Sequence, residues 1–265
     1  MDKNNLRPIA FVLASTNHGS MLLNRHDYRL VKGGGFGVGF QLLNTSSFDQ
    51  PEVDLLLHLL QLRKQYFGDG VAAIDCGANI GVHTIEWAKY MHGWGSVVAV
   101  EAQERIFYAL AGNIAMNNCF NARAIWAAVG ASDGFIDVPV PDYFTPSSFG
   151  SMEIREKETT EYIGQPIDYS DKTLNTRMVS IDGLGLQRVD LIKIDVEGME
   201  IEALEGAKNS IQRFKPQMVI ECIKTDKEKL KSLMLSYGYK VIPTGINLLA
   251  IHKSDPISSI ININA

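Results

Sequence analysis

The chain has 265 residues, 46% hydrophobic and 21% charged, enough to build one sizeable core and too even in composition to suggest a large second domain. A formal net charge of −5 and a sequence pI near 5.7 give no electrostatic reason to expect a nucleic-acid partner, and no apolar run approaches the roughly 20 residues of a membrane span. The three cysteines, Cys76, Cys119 and Cys222, lack metal-type spacing and read as free apolar thiols of a reducing compartment.

Residues 1–70 read as an N-terminal β-rich and helical cap. The apolar block Ile9 to Ala14 is too short for a signal-peptide core, which predicts a cytoplasmic protein. Ile9 to Ala14, Met21 to Leu23, Tyr28 to Val31 and Val38 to Leu43 are predicted short strands. Gly33-Gly34-Gly35-Phe36-Gly37 lacks the Lys-Ser/Thr of a phosphate loop and reads as a flexible hairpin. Pro51 and Glu52 open a predicted helix through Tyr66, with Val53, Leu56, Leu57 and Leu60 on its apolar stripe.

From Val71 onward strands and helices alternate, so 71–265 reads as one doubly wound α/β domain. Val71 to Cys76 is a buried strand, Gly77-Ala78-Asn79-Ile80-Gly81 a tight turn, and Val82-His83-Thr84 the start of a helix. A second strand, Val97 to Val100, ends in Glu101. That carboxylate falls 20 residues past Gly81, the spacing at which an acidic residue accepts ribose hydroxyls in an adenosine half-site. A dinucleotide turn needs glycine where this chain has Asn79, whose side chain obstructs a pyrophosphate. The turn therefore suits S-adenosylmethionine, with turn amides donating to the carboxylate of its amino-acid end and Asp75 facing the ammonium. Thr84 is placed to bond a cofactor oxygen or a backbone carbonyl. His83 points into the site or sits on the helix shoulder. Ala127 and Ala128 end the third strand near the adenine.

Glu104 to Met116 is a predicted helix, on which Asn113 and Asn117 read as ties to loops. Ala122 to Val129 is a third strand, turned by Ala131-Ser132-Asp133-Gly134 into Phe135 to Val140. Periodicity then fails from Pro141 to Thr176, which reads as a substrate-facing lid or an ordinary exposed insertion. Val189 to Val196 is a buried strand ending in Asp195, with Lys193 on the same side and placed to pair with it. A single helix is expected from Met199 to Phe214, stopped by Pro216, and then a strand, Gln217 to Cys222, carrying Glu221. Asp226 caps a helix through Tyr237, and Tyr239 to Pro243 with Leu248 to His252 form a closing antiparallel hairpin.

The runs Asp75-Cys76-Gly77-Ala78-Asn79-Ile80-Gly81 and Ile192-Lys193-Ile194-Asp195-Val196-Glu197-Gly198-Met199-Glu200, with Glu101, Asn113 and Asn117 between them, resemble the FkbM-type family of class I S-adenosylmethionine-dependent methyltransferases. The resemblance covers Val71 to His252. It implies a Rossmann-like sheet of six parallel strands and one antiparallel, S-adenosylmethionine as cofactor, and methyl transfer mostly to hydroxyl oxygens of sugars, polyketides or similar metabolites. Ala102 stands where the family often has proline, which loosens the adenosine turn without removing the ribose carboxylate.

Cofactor contacts are thus expected from Asp75, Gly77, Ala78, Asn79, Gly81, Thr84, Glu101, Ala102 and Ala128. Asp195 is the first candidate for the base that takes the acceptor's proton, followed by Glu197, Glu221 and His83. Glu221 can join Asp195 in activating a hydroxyl or in coordinating a divalent cation, although two carboxylates alone are a thin metal signature. The expected acceptor is a small molecule or a glycan, and nothing in the sequence sets the oligomeric state. Two other readings stay open: an NAD-dependent oxidoreductase, against which Asn79 stands, and a non-catalytic S-adenosylmethionine-binding protein. DNA methylation is disfavoured because no Asn/Asp-Pro-Pro-aromatic element follows the acidic strand end.

Overall fold

The computed structural model describes residues 7–259. Residues 1–6, where the leader reading begins, and 260–265, the end of the 71–265 segment, lie outside the described residues. Strands β1 (Phe11–Thr16) and β2 (Gly19–Asn24) form an antiparallel hairpin, and β3 (Arg29–Val31) pairs with β4 (Gly34–Phe36). The glycine-rich run therefore makes a hairpin, but its second strand is the run itself. Val38 to Leu43, expected as a strand, lies instead in helix α1 (Val38–Thr45). The Asp27 carboxylate accepts the N–H of Gly39 at 2.8 Å and satisfies the open first turn from a distant point in the chain. Helix α2 (Gln50–Phe67) follows, with Val53, Leu56, Leu59 and Leu60 buried.

The main body then runs β5 (Val71–Cys76), α3 (Val82–Tyr90), β6 (Gly95–Glu101), α4 (Glu104–Met116) and β7 (Ala122–Trp126). The expected third strand does not continue to Val129. It breaks at Ala127, and β8 (Ala128–Val129) joins a small separate sheet with β9 (Gly134–Pro139) and β10 (Thr173–Val179), in the order β8-β10-β9. Thus the irregular segment ends earlier than expected, where β10 begins.

β11 (Leu191–Ile194) leads to α5 (Glu200–Glu205) and α6 (Lys208–Phe214), two helices where one was expected. Two contacts account for the break. A Cβ on Gly206 would lie 2.1 Å from the Gly130 carbonyl, and the Asp182 carboxylate accepts the N–H groups of Asn209 and Ser210 at 2.9 and 2.7 Å, opening a fresh helix. β12 (Gln217–Glu221), α7 (Lys227–Ser236), β13 (Tyr239–Thr244) and β14 (Asn247–His252) complete the chain, with Asp226 capping α7 through Lys229 N–H as its sequence implied.

The large sheet has the order β13-β14-β12-β11-β5-β6-β7, and β14 alone runs against the other six strands. This is the class I methyltransferase, Rossmann-like arrangement. Val71, Ala73, Leu191 and Val219 face a core shared with α2, α3 and α4, whereas Ile74, Cys76, Ile192 and Ile194 face α5, α6 and α7. Burial on both faces explains why these strands read as continuous apolar runs rather than alternating ones. The order reverses beside β5, so the carboxyl ends of β5, β6, β11 and β12 open onto one crevice.

Candidate active site

A cavity of about 490 Å³ lies over those strand ends. Gly77, Ala78, Asn79, Glu101, Ala102 and Ala128 line it, as do Asp195, Glu197, Glu221 and His83. Asp75, Gly81 and Thr84 do not. The sequence-derived set is thus brought together with three members displaced behind the wall.

The turn after β5 is closed by its own hydrogen bonds. The N–H groups of Gly77 and Ala78 donate to Val100 O at 2.9 and 3.0 Å, Asn79 N–H to Glu101 Oε2 at 2.9 Å, Ile80 N–H to Asn79 Oδ1 at 2.7 Å, and Gly81 N–H to Ala78 O at 2.9 Å. The amides expected to hold a ligand carboxylate are therefore already engaged. Asn79 adopts the left-handed conformation (φ 50°), which its short amide tolerates. Gly77 (φ 77°) has a stricter reason to be glycine: a Cβ there would sit 1.7 Å from the Asp195 carbonyl, where the turns after β5 and β11 meet.

Asp75 does not face the cavity. Its Oδ2 accepts the Thr84 hydroxyl at 2.6 Å, and both side chains are buried beneath the first turn of α3. Burial raises the Asp75 carboxyl above its ordinary value, and the Lys193 ammonium draws it back. Thr84 accordingly bonds neither of the partners expected for it. Gly81 (φ 91°) serves packing, since a Cβ there would lie 2.6 Å from Leu110.

Glu101 is buried, and its two oxygens accept the N–H groups of Asn79 and Gln103. Burial pushes its carboxyl up to about 7, against the opposing pull of those bonds. Ala102 does not leave the turn loose: its carbonyl accepts Trp126 Nε1–H at 3.1 Å, a restraint in place of proline.

At the opposite end, Asp195 and Glu197 lie on the turn after β11 and Glu221 ends β12. Lys193 Nζ donates to Asp195 Oδ2 at 2.7 Å, as alternation implied. Burial acts to lower Lys193, but Asp195, Glu52 and Asp75 together keep its ammonium above the ordinary range. Glu197 has φ 53°, in the left-handed region, and pairs with Lys224 at 2.6 Å. Burial first, then the neighbouring carboxylates, raise both Glu197 and Glu221. His83 lines the cavity and is 7% exposed, with Nε2 3.3 Å from Glu52 Oε1; burial and Lys193 hold its imidazole well below the ordinary value, hence neutral.

Several lining residues escaped the sequence reading because only the fold delivers them. Glu52, at the start of α2, accepts Asn247 Nδ2–H at 2.5 Å while facing His83 and Lys193. Gln103 Nε2–H donates to Phe149 O at 2.8 Å, and Phe149 N–H donates to Asp27 at 3.1 Å, fixing the irregular segment over the cavity. Gly150 seats directly on Asn79, whose Nδ2 would lie 2.6 Å from an added Cβ. Glu161 of the same segment bridges Arg29 of β3 (2.6 Å) and Lys224 (3.2 Å). Nothing in the local pattern around Glu161 or Glu52 distinguishes either from a solvated helix or loop carboxylate.

The family model of the methyltransferase FkbM domain matches residues 75–241. The chain is similar to Methyltransferase 1 of Beauveria bassiana, 25% identical over 190 residues that cover 66% of this chain and 74% of that protein. It is also similar to Methyltransferase sdnD of Sordaria araneosa, 29% identical over 168 residues that cover 56% and 64%. Among solved structures it is similar to the methyltransferase FkbM of Methylobacillus flagellatus, with 19% identity and a TM-score of 0.48, covering 72% of this chain and 48% of that one. The chain therefore spans about half the length of that bacterial protein. Among the described residues no helix is long and apolar enough to cross a membrane.

Proposed function

Because the chain belongs to the FkbM methyltransferase family, we propose that it transfers the methyl group of S-adenosylmethionine to a hydroxyl oxygen of a sugar or other small metabolite. One observation carries this reading: a single cavity has the Asn79–Glu101 half-site at one end and Asp195, Glu197 and Glu221 at the other. Bound there, the cofactor supplies an electrophilic methyl on a sulfonium, so catalysis gains chiefly from alignment.

Glu101 keeps lone pairs beyond its two backbone bonds and accepts the ribose hydroxyls. Since the turn amides are engaged, the amino-acid carboxylate is assigned to the positive end of α3, at the N–H groups of Val82 and His83. With the cofactor held there, these residues would align the acceptor oxygen with its methyl, so that an O–C bond could form as the C–S bond gives up its electron pair to sulfur. The one hydroxyl proton would pass to a single carboxylate oxygen, Asp195 first among Asp195, Glu197 and Glu221. In this reading residues 7–70 cap the site, and the segment from Pro141 to the start of β10 is its lid. Seven carboxylates but only Arg29 and Lys193 among Arg and Lys line the cavity, which favours a neutral hydroxylated acceptor over a phosphorylated one or a nucleic acid. The three free, buried cysteines suit a reducing cytoplasm.

Incubation with methyl-labelled cofactor and a panel of neutral glycans and hydroxylated metabolites, followed by mass and NMR analysis of the labelled product, tests the proposal. An O-methyl product is expected. Cofactor binding with no transfer across the panel favours the non-catalytic alternative; tighter binding of NAD than of S-adenosylmethionine favours the oxidoreductase.

A further inference from the structure

We propose that Asp195, Glu197 and Glu221 form a binding site for a divalent cation of the Mg²⁺ or Mn²⁺ class, which holds the acceptor hydroxyl beside the transferable methyl. One carboxylate oxygen from each residue lies within 4.8 Å of the others. Metal–oxygen distances of about 2.0–2.2 Å put octahedral ligand oxygens roughly 3 to 4.4 Å apart, so small side-chain adjustments bring the three oxygens onto one ion. Glu221 ends β12, and Asp195 and Glu197 lie on the turn that directly follows β11, its paired parallel neighbour, so the sheet brings the two segments side by side.

The second observation is an orphaned atom. Glu221 is 7% exposed, it lines the cavity, and among the described residues no hydrogen-bond donor reaches its buried Oε2. The nearby cations are committed elsewhere: Lys193 to Asp195 and Glu52, Lys224 to Glu197 and Glu161. Among the described residues no Lys or Arg nitrogen comes within 4.0 Å of the Glu221 carboxylate, and a buried carboxylate oxygen without a donor is costly. A cation supplies the missing partner. An all-oxygen donor set selects a hard ion rather than zinc or copper. Such an ion keeps open positions for water or acceptor oxygens, and polarisation of a bound hydroxyl eases loss of its proton to a carboxylate oxygen that the ion does not engage.

The cation site goes beyond the methyl-transfer reading and rests on it only for the identity of the oxygen that fills the open positions. The test is titration of chelator-treated full-length protein with Mn²⁺, read by electron paramagnetic resonance and calorimetry, for wild type, Glu221→Gln and Glu197→Gln. Saturable binding of a single Mn²⁺ per chain is expected, weakened about 10- to 100-fold in each variant, with S-adenosylmethionine affinity retained in both and the melting temperature retained in Glu221→Gln, whereas Glu197→Gln also loses its ion pair with Lys224 and should melt lower. Absence of Mn²⁺ binding, or equal binding by all three proteins, overturns the site. Full methyl transfer in the presence of EDTA overturns the cation's role while the methyltransferase reading stands. Failure to bind S-adenosylmethionine counts against the latter alone, since Mn²⁺ binding is read independently.

Discussion

The carboxylate of Glu101 accepts the backbone N–H of Asn79 at 2.9 Å, although the two residues are 22 positions apart. The end of β6 and the turn after β5 are thereby one hydrogen-bonded unit, and this cavity-lining carboxylate is itself a structural part of the turn. The same side chain accepts Gln103 N–H, so one buried carboxylate orders both the turn after β5 and the end of β6.

Glu101→Gln follows directly. The amide keeps the volume but can accept from only one of the two N–H groups and cannot offer a charged acceptor to ribose. Loss of a charged hydrogen bond, about 1.5–3 kcal/mol, predicts a roughly 10- to 100-fold weaker S-adenosylmethionine affinity by calorimetry. The wild-type affinity should rise with pH through about 7, because binding draws on the ionised form of Glu101. For folding the sign is opposite. The folded carboxyl is raised from 4.5 to about 7, so its stabilising contribution is complete below 4.5 and is lost as pH rises through 7. Glu101→Gln should flatten both dependences; a variant with the wild-type affinity profile would remove Glu101 from the binding step.

Gly77→Ala should destabilise by at least about 3 kcal/mol, combining left-handed strain with displacement of the Asp195 backbone. The control is Gly93, also left-handed at φ 79° but with nothing within 4 Å of an added Cβ. Gly93→Ala should cost only the conformational term, about 1 kcal/mol. Equal losses in chemical denaturation of the two variants would show that the Gly77–Asp195 contact is not the cause.

The alternating body of the fold was legible because its central strands are buried on both faces and its turns carry glycines at positions that need positive φ, as at Gly77 and Gly238. What stayed hidden depends on long-range polar contacts. Val38 to Leu43 reads as a strand until Asp27 is known to cap it, and Met199 to Phe214 reads as one helix until Gly130 and Asp182 interrupt it. In the site, Asn79, Glu101 and Asp195, singled out by spacing and strand ends, were found lining the cavity. Asp75 was not, because spacing does not reveal that Thr84 draws it inward, and Glu52 could be found only through the packing of α2 beside β14.

Asn113 is fully buried within α4 and joins three elements. Its Oδ1 accepts Leu22 N–H at 2.6 Å, and its Nδ2 donates to Leu22 O at 3.1 Å and to Ile80 O at 2.7 Å. Asn113→Ala leaves these backbone groups unpaired and opens a small cavity, so a loss of about 2–4 kcal/mol is expected in denaturant titration. Because Ile80 belongs to the cofactor turn, weaker S-adenosylmethionine binding should accompany it. Asn117, by contrast, bonds Ser20 at an exposed rim, and Asn117→Ala should change stability by less than about 1 kcal/mol. Equal effects of the two substitutions would contradict the assignment of Asn113 as the buried tie.

Glu161, in the segment between β9 and β10, joins Arg29 of β3 at 2.6 Å to Lys224, just beyond β12, at 3.2 Å, and Arg29 and Glu161 both line the cavity. Its side chain is 41% exposed, so these pairs contribute little to global stability and Glu161→Gln should leave the melting temperature nearly unchanged. In the proposed reading, where this segment is the lid, passage of cofactor or product requires the pairs to part. At about 0.2–1 kcal/mol for each exposed pair, their removal should speed cofactor release by about two- to tenfold in stopped-flow displacement. Raising the salt concentration should accelerate release from the wild type toward the variant's rate and have little effect on Glu161→Gln. Release rates that match in the two proteins at low salt would place the gate elsewhere in the lid.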